Sequence, residues 1–145
     1  MSFFNVLLLL CFISFAAKVD ARADPLFRVV ATTHLVGELV EKVAGTAVHL
    51  DVIVPANLDP HTYKLRPADV RRLNDAHLIL YSGLNLEAEM ESVFRNLARK
   101  KIVRAVSADI PKNQLISEPD SIDNFDPHFW HDIELWRNVT VCDSR

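Results

Sequence analysis

VPANLDPHTYKLRPADVRRLNDA, residues 54–76, joins the end of an apolar run to the start of a helix. The run before it, Val48 to Val54 (VHLDVIV), alternates partly in hydropathy and ends at Pro55, as a strand leaving a sheet does. Pro67 suits the first turn of a helix, where its missing N–H has no partner to lose, and Val70 with Leu73 gives that helix an apolar side. Asp59-Pro60-His61 therefore lies on a loop fixed at both ends by rigid elements, which is where binding groups are held. His61 is the leading candidate for a metal ligand. The same three residues are also ordinary turn formers, so this stretch alone leaves both readings open. A longer pattern around the loop, together with a second Asp-Pro-His, Asp126-Pro127-His128, shifts the reading toward metal and adds His128 as a second candidate.

Outward from this loop, strands alternate with helices. Phe27 to Ala31 (FRVVA) is a short β-branched run. Thr33 follows as a helix cap, with Leu35, Val36, Leu39, Val40 and Val43 at helical spacing and Gly45 as the stop. His77 to Tyr81 (HLILY) reads as the next strand, turned by Ser82-Gly83. Leu86, Met90, Val93, Phe94 and Leu97 then mark a helix with one buried face. Its Glu87, Glu89 and Glu91 lie early and Arg95, Arg99, Lys100 and Lys101 late, which complements the helix dipole, and Glu91 is spaced to pair with Arg95. Ile102 to Val106 is a fourth strand, and residues 107–127, rich in Ser, Asp, Asn and Pro, read as a long surface loop. A final helix is expected from about His128, with Phe129, Ile133 and Trp136 on one side.

This alternation implies an α/β fold, a parallel four-stranded sheet with helices on both faces. Ligands of such sheets gather beyond the carboxyl ends of the strands. His61 follows the second strand and His128 the fourth, so both can reach one edge. A chain of 145 residues, half of them hydrophobic, builds one compact domain. Its formal charge of -3 and the lack of a basic face argue against nucleic acid as a partner.

The N-terminus reads as a targeting segment. Phe3 to Ala17 is an apolar run shorter than the roughly 20 residues a membrane span needs, and Ala21-Arg22-Ala23 supplies a small-x-small cleavage pattern. Residues 1–23 are accordingly expected to be a signal peptide and 24–145 the mature domain, exported to a periplasmic or other extracytoplasmic compartment. No Lys or Arg precedes the apolar run, so a retained N-terminal anchor is the other reading. Cys11 follows Leu10 rather than a small residue and does not read as a lipid-attachment site. With Cys11 removed, Cys142 has no partner, so packing rather than a disulfide must hold the domain.

A longer pattern carries a family resemblance. His61-x-Tyr63-x-Leu65-Arg66-Pro67-x-Asp69-Val70-x-x-Leu73-x-x-Ala76, then Gly83, Glu87, Glu89 and Met90, and finally Asp126-Pro127-His128-x-Trp130 resemble the metal-specific solute-binding proteins of bacterial ABC importers. The resemblance runs from about Phe27 to Trp136 and covers an N-terminal lobe. It implies binding of zinc, manganese or ferrous iron as a transported ligand, delivery to a membrane permease, and no catalysis. The family's first two histidine ligands carry over to His61 and His128, whereas His131 matches no ligand position. Members resemble two-lobed proteins in which a second α/β lobe supplies two more ligands. This sequence stops at Arg145, so the reading is a truncated first lobe whose second lobe is absent or separately encoded.

Imidazole nitrogens suit divalent first-row metals, at about 2.0–2.1 Å for zinc, when a neighbouring group fixes the tautomer. Asp59 and Asp126 are candidates for that role or for turn formation, and Trp130 for shielding the site or filling the core. Tyr63 and Arg66 can bond around the loop or simply pack there. His34, His49 and His77 read as structural. Two imidazoles alone leave at least two coordination positions to water, so weak and poorly selective binding is expected of this chain. Two other functions remain open here: a metal-dependent hydrolase, for which no His-Glu-x-x-His pattern is present, and a non-transporting remnant or adhesion-like surface protein.

Overall fold

The computed structural model describes residues 26–118 and 124–140; the expected signal peptide, Cys11 and Cys142 lie outside them. Four short strands, β1 (Phe27–Ala31), β2 (Val48–Val52), β3 (Leu78–Tyr81) and β4 (Ile102–Ala105), form one sheet in the order β2-β1-β3-β4. Every pairing is parallel. Among the described residues four α-helices accompany them: α1 (His34–Ala44), α2 (Pro67–Asp75), α3 (Glu91–Leu97) and α4 (Ile133–Thr140). The expected α/β class, strand number and strand direction all hold.

Helices cover both faces, because parallel strands need crossovers that pack back onto the sheet. On one face, Val30 and Ile79 meet Leu73 and Ala76 of the α2 region and Phe94 and Leu97 of α3. On the other, Val29, Leu78 and Leu80 look toward Val36, Leu39 and Val40 of α1 and Leu135 and Val139 of α4, around a cavity of about 900 Å³. The Thr33 hydroxyl accepts from the Val36 N–H at 3.3 Å, capping α1 as its sequence suggests. The other end of α1 stops at Gly45, with φ 53°.

Three expectations are corrected. The helix after β3 is shorter, because Ala88–Met90 is a 3₁₀ turn and only Glu91–Leu97 is α-helical. His128 does not start an α-helix; Phe129–His131 form another 3₁₀ turn and α4 begins at Ile133. That break rotates the apolar side, so Ile133 is 81% exposed and Leu135 joins Phe129 in the interior. Residues 106–118 are also less open than a plain loop, with 3₁₀ turns at Val106–Asp109 and Lys112–Gln114. A bridge pairs Ser117 with Phe125.

The topology creates a switch point. From β1 the chain moves to β2 on one side and later to β3 on the other, so the carboxyl ends of β1 and β3 mark the place where such sheets gather ligands.

Candidate metal centre

Beyond β2 the chain is held to the sheet for two further residues. Ile53 and Val54 donate their N–H groups to Ala31 and Thr32 carbonyls at 3.0 and 2.8 Å, and both side chains are buried. The loop then runs out over the carboxyl edge, where Asp59 shapes it: Oδ1 accepts the His61 N–H at 2.9 Å and Oδ2 the Thr62 hydroxyl at 3.2 Å. Asp59 thus forms a turn and touches no ring atom of His61.

The far end of the loop is clamped by Asp69, which is 2% exposed. Its Oδ2 accepts the Tyr63 hydroxyl and the Arg66 N–H, each at 2.8 Å, and its Oδ1 pairs with the Arg72 guanidinium. Arg72 reaches on to the Val52 carbonyl at 3.1 Å, tying helix, loop and strand together. Burial pushes the Asp69 carboxyl up, but the bonds from Arg66, Tyr63 and Arg72 prevail and hold it below the usual aspartate range. Burial and the neighbouring carboxylate raise Tyr63. Tyr63 thus bonds around the loop through its hydroxyl and Arg66 through its backbone N–H, while the Arg66 guanidinium lies 5.8 Å from the Tyr63 ring centroid.

His128 arrives from the other side. Asp126 Oδ1 accepts its N–H at 2.9 Å and lies 2.6 Å from its ring Nδ1. A carboxylate at that distance selects the tautomer with hydrogen on Nδ1, which leaves the Nε2 lone pair free to bind. The His128 N–H and ring hold the Asp126 carboxyl below its ordinary value. Trp130 meets the His128 ring edge-on at 5.1 Å between centroids and also packs against the interior cluster of Ile110, Phe129 and Leu135, so it flanks the site and fills the core.

Across 67 residues of sequence the two candidate imidazoles meet, with Nε2 to Nε2 3.4 Å and ring centroids 5.4 Å apart. Two nitrogens each about 2.0–2.1 Å from one tetrahedral ion stand about 3.3–3.4 Å apart. The pair is spaced for a shared cation. Both rings remain exposed at the sheet's carboxyl edge. Among the described residues no third His, Cys, Asp or Glu joins them in a metal-holding group. His131 stacks near His128 at 6.4 Å between centroids and is not part of such a group. The remaining histidines serve locally: His77 Nδ1 accepts the Arg28 N–H at 2.8 Å, while His34 and His49 pair with Glu38 and Asp51.

Besides Asp69, a second carboxylate has a burial that the sequence does not signal. Glu87, 3% exposed, lies at the switch point and accepts the Thr32 hydroxyl at 2.6 Å and the N–H groups of Ser82 and Gly83 at 2.8 and 3.2 Å. Burial pushes its carboxyl up, and these three bonds only partly offset that. In the sequence it is one of three acids, Glu87, Glu89 and Glu91, that complement a helix dipole, and nothing local sets it apart.

Known proteins share this architecture. The chain is 41% identical over 123 residues to the zinc-binding protein TroA of Treponema pallidum, covering 85% of this chain and 39% of that protein. It is 39% identical over 114 residues to the manganese-binding lipoprotein MntA of Bacillus subtilis, covering 79% of this chain and 37% of that protein. The solved structure of the periplasmic zinc-binding protein TroA superposes with a TM-score of 0.74 at 39% identity, over 78% of this chain and 40% of that one. The Fe(III)-bound YtgA of Chlamydia trachomatis superposes with a TM-score of 0.67 at 26% identity, over 79% and 40% of the two chains. This chain therefore spans about two fifths of the length of the relatives it matches. A family model described as zinc-uptake complex component A, periplasmic, matches residues 29–141. With sequence matched along nearly all of the sheet and its crossovers, the chain belongs to this ZnuA family.

Proposed function

We propose that residues 24–145 form the N-terminal lobe of an extracytoplasmic solute-binding protein. It holds a divalent transition metal through His61 and His128 and hands it to the membrane permease of an ABC importer. Residues 1–23 serve as its export signal. The observation that carries this reading is the 3.4 Å approach of two Nε2 atoms, one of them backed by Asp126. The relatives support the class of cargo, since they include a zinc-binding and a manganese-binding protein and a structure with bound Fe(III).

Zinc, manganese and ferrous iron are all candidates for the ion. Imidazole nitrogens alone favour zinc over manganese or iron, so any different selectivity must come from ligands beyond these two. A second lobe, encoded in the same or a separate chain, would supply them. Transport binding proteins need no turnover, and the carboxylate nearest the pair, Asp126, is engaged by His128 rather than free to activate water.

Calorimetry on the intact chain with Zn²⁺, Mn²⁺ and Fe²⁺ tests the site. One ion per chain is expected, with binding reduced at least tenfold in both His61→Ala and His128→Ala. Unchanged binding in either variant overturns the assignment. Transport is tested separately: deletion of the gene should lower cellular metal content, and wild-type gene but not the double histidine variant should restore it.

A further inference from the structure

Resting on that reading of His61 and His128, we propose that Glu87 is a positioning residue that sets the spacing between them. Its carboxylate touches neither ring, but it joins the two backbone arms that carry them.

The first arm starts at Thr32. The Thr32 hydroxyl donates to Glu87 at 2.6 Å, and the Thr32 carbonyl accepts the Val54 N–H at 2.8 Å, the last sheet-like bond before the His61 loop departs. The second arm starts at Ser82 and Gly83, whose N–H groups both point at the same carboxylate. These bonds hold a turn that needs holding, because Gly83, Leu84 and Asn85 all have positive φ, at 91°, 51° and 66°. Left-handed Leu and Asn cost free energy that the surroundings must offset. The turn so fixed presents Leu84 to the cluster of Ile110, Phe129 and Leu135, and Phe129 directly follows His128. The Ser107 N–H donates to the Ser82 carbonyl at 3.2 Å, bracing this turn against the segment after β4.

Glu87 is thus where the β1 and β3 ends meet at the switch point, with one ligand segment hanging from each side. An amide in its place keeps the size but offers one NH₂ where three donors require acceptors, so at least one arm must shift. A displacement of a few tenths of an ångström matters little to either histidine alone. It matters when both must reach one ion.

The test uses the full chain and Co²⁺, whose visible spectrum reports ligand number and geometry. Glu87→Gln is expected to weaken Co²⁺ binding about tenfold or more, as loss of an outer support to metal ligands commonly does, and to alter the spectrum. Thr32→Val, which removes one arm's hydroxyl at constant size, should do the same in smaller degree, and Thr32→Ser should restore wild-type behaviour. In a His61→Ala background neither Glu87→Gln nor Thr32→Val should change the residual affinity, since alignment no longer matters with one imidazole. Folded Glu87→Gln and Thr32→Val proteins with wild-type affinity and spectrum overturn the proposal. So do losses that persist undiminished in the His61→Ala background. Should Glu87→Gln fail to fold, the Thr32→Val and Thr32→Ser pair decides by the same criteria. Failure of the underlying site is distinguishable: His61→Ala and His128→Ala then bind Co²⁺ like wild type, which overturns both ideas, whereas histidine-dependent binding with a neutral Glu87 and Thr32 overturns this one alone.

Discussion

Asp59 and Asp126 occupy the same place in two copies of one tripeptide, yet they do different work. Asp126 contacts the His128 ring as well as its N–H, while Asp59 contacts only the His61 backbone and Thr62. Asp126→Ala should therefore weaken Zn²⁺ binding about 10–100-fold, and Asp59→Ala by much less, as competition against a chromogenic chelator would show. Equal losses would mean that loop shape, not ring orientation, is what the aspartates supply. Asp69 acts on stability instead. Its folded pKa lies below the ordinary aspartate value, so the stability it contributes is present above that value and is lost as pH falls through the lowered one. Urea midpoints measured from neutral to strongly acidic pH should fall across that window. In Asp69→Asn they should start lower, by about 2–4 kcal/mol in unfolding free energy, and show a shallower acid decline. Of these residues the two histidines were legible in the sequence, because Asp-Pro-His recurs and each copy follows a strand. Asp69 and Glu87 were not read as buried, since a carboxylate near a helix start has the same local signature whether solvent or protein covers it.

At the level of elements, the strands were the most legible parts because β-branched runs bounded by Pro, Gly or charged residues leave few alternatives. Their ends were less so. Val54 and His77 continue hydrogen bonding to the neighbouring strand beyond the ladder proper. The helices after β3 and after His128 were misjudged for one physical reason: apolar spacing does not reveal where a 3₁₀ turn replaces an α turn and rotates the buried side by most of a residue. The basic run 99–101, placed in the sequence as a complement to the dipole of its own helix, also supplies a cap to another helix. Lys101 Nζ lies 3.1, 2.5 and 2.9 Å from the carbonyls of Leu73, Asn74 and Ala76, the carboxyl end of α2. Three carbonyls on one ammonium satisfy groups that the helix leaves open. Lys101→Met should cost about 1–2 kcal/mol in denaturant unfolding, and Lys100→Met, whose side chain is exposed, close to none.

On the scale of the whole molecule, the proposed site depends on the strand order β2-β1-β3-β4, which brings the two histidine segments to one carboxyl edge. Binding is consequently coupled to the folded state. Zn²⁺ at a free concentration a hundred times its Kd should add about 2.7 kcal/mol to unfolding free energy, and at the same Zn²⁺ concentration His61→Ala or His128→Ala should cut that gain to about half or less. An undiminished gain in both variants would place the ion elsewhere.

The sequence separation of 67 positions between the paired imidazoles carries a further consequence, one of timing. A contact this distant along the chain is expected to close after local helices and the first strand pairings, because its loop-closure entropy must be met first, and its ion is then expected to bind after the folding transition state. Saturating Zn²⁺ should then slow the escape from the native basin roughly in proportion to the stability gained and leave the refolding limb of a stopped-flow chevron where it was. Cargo would lengthen the lifetime of the lobe without hastening its birth.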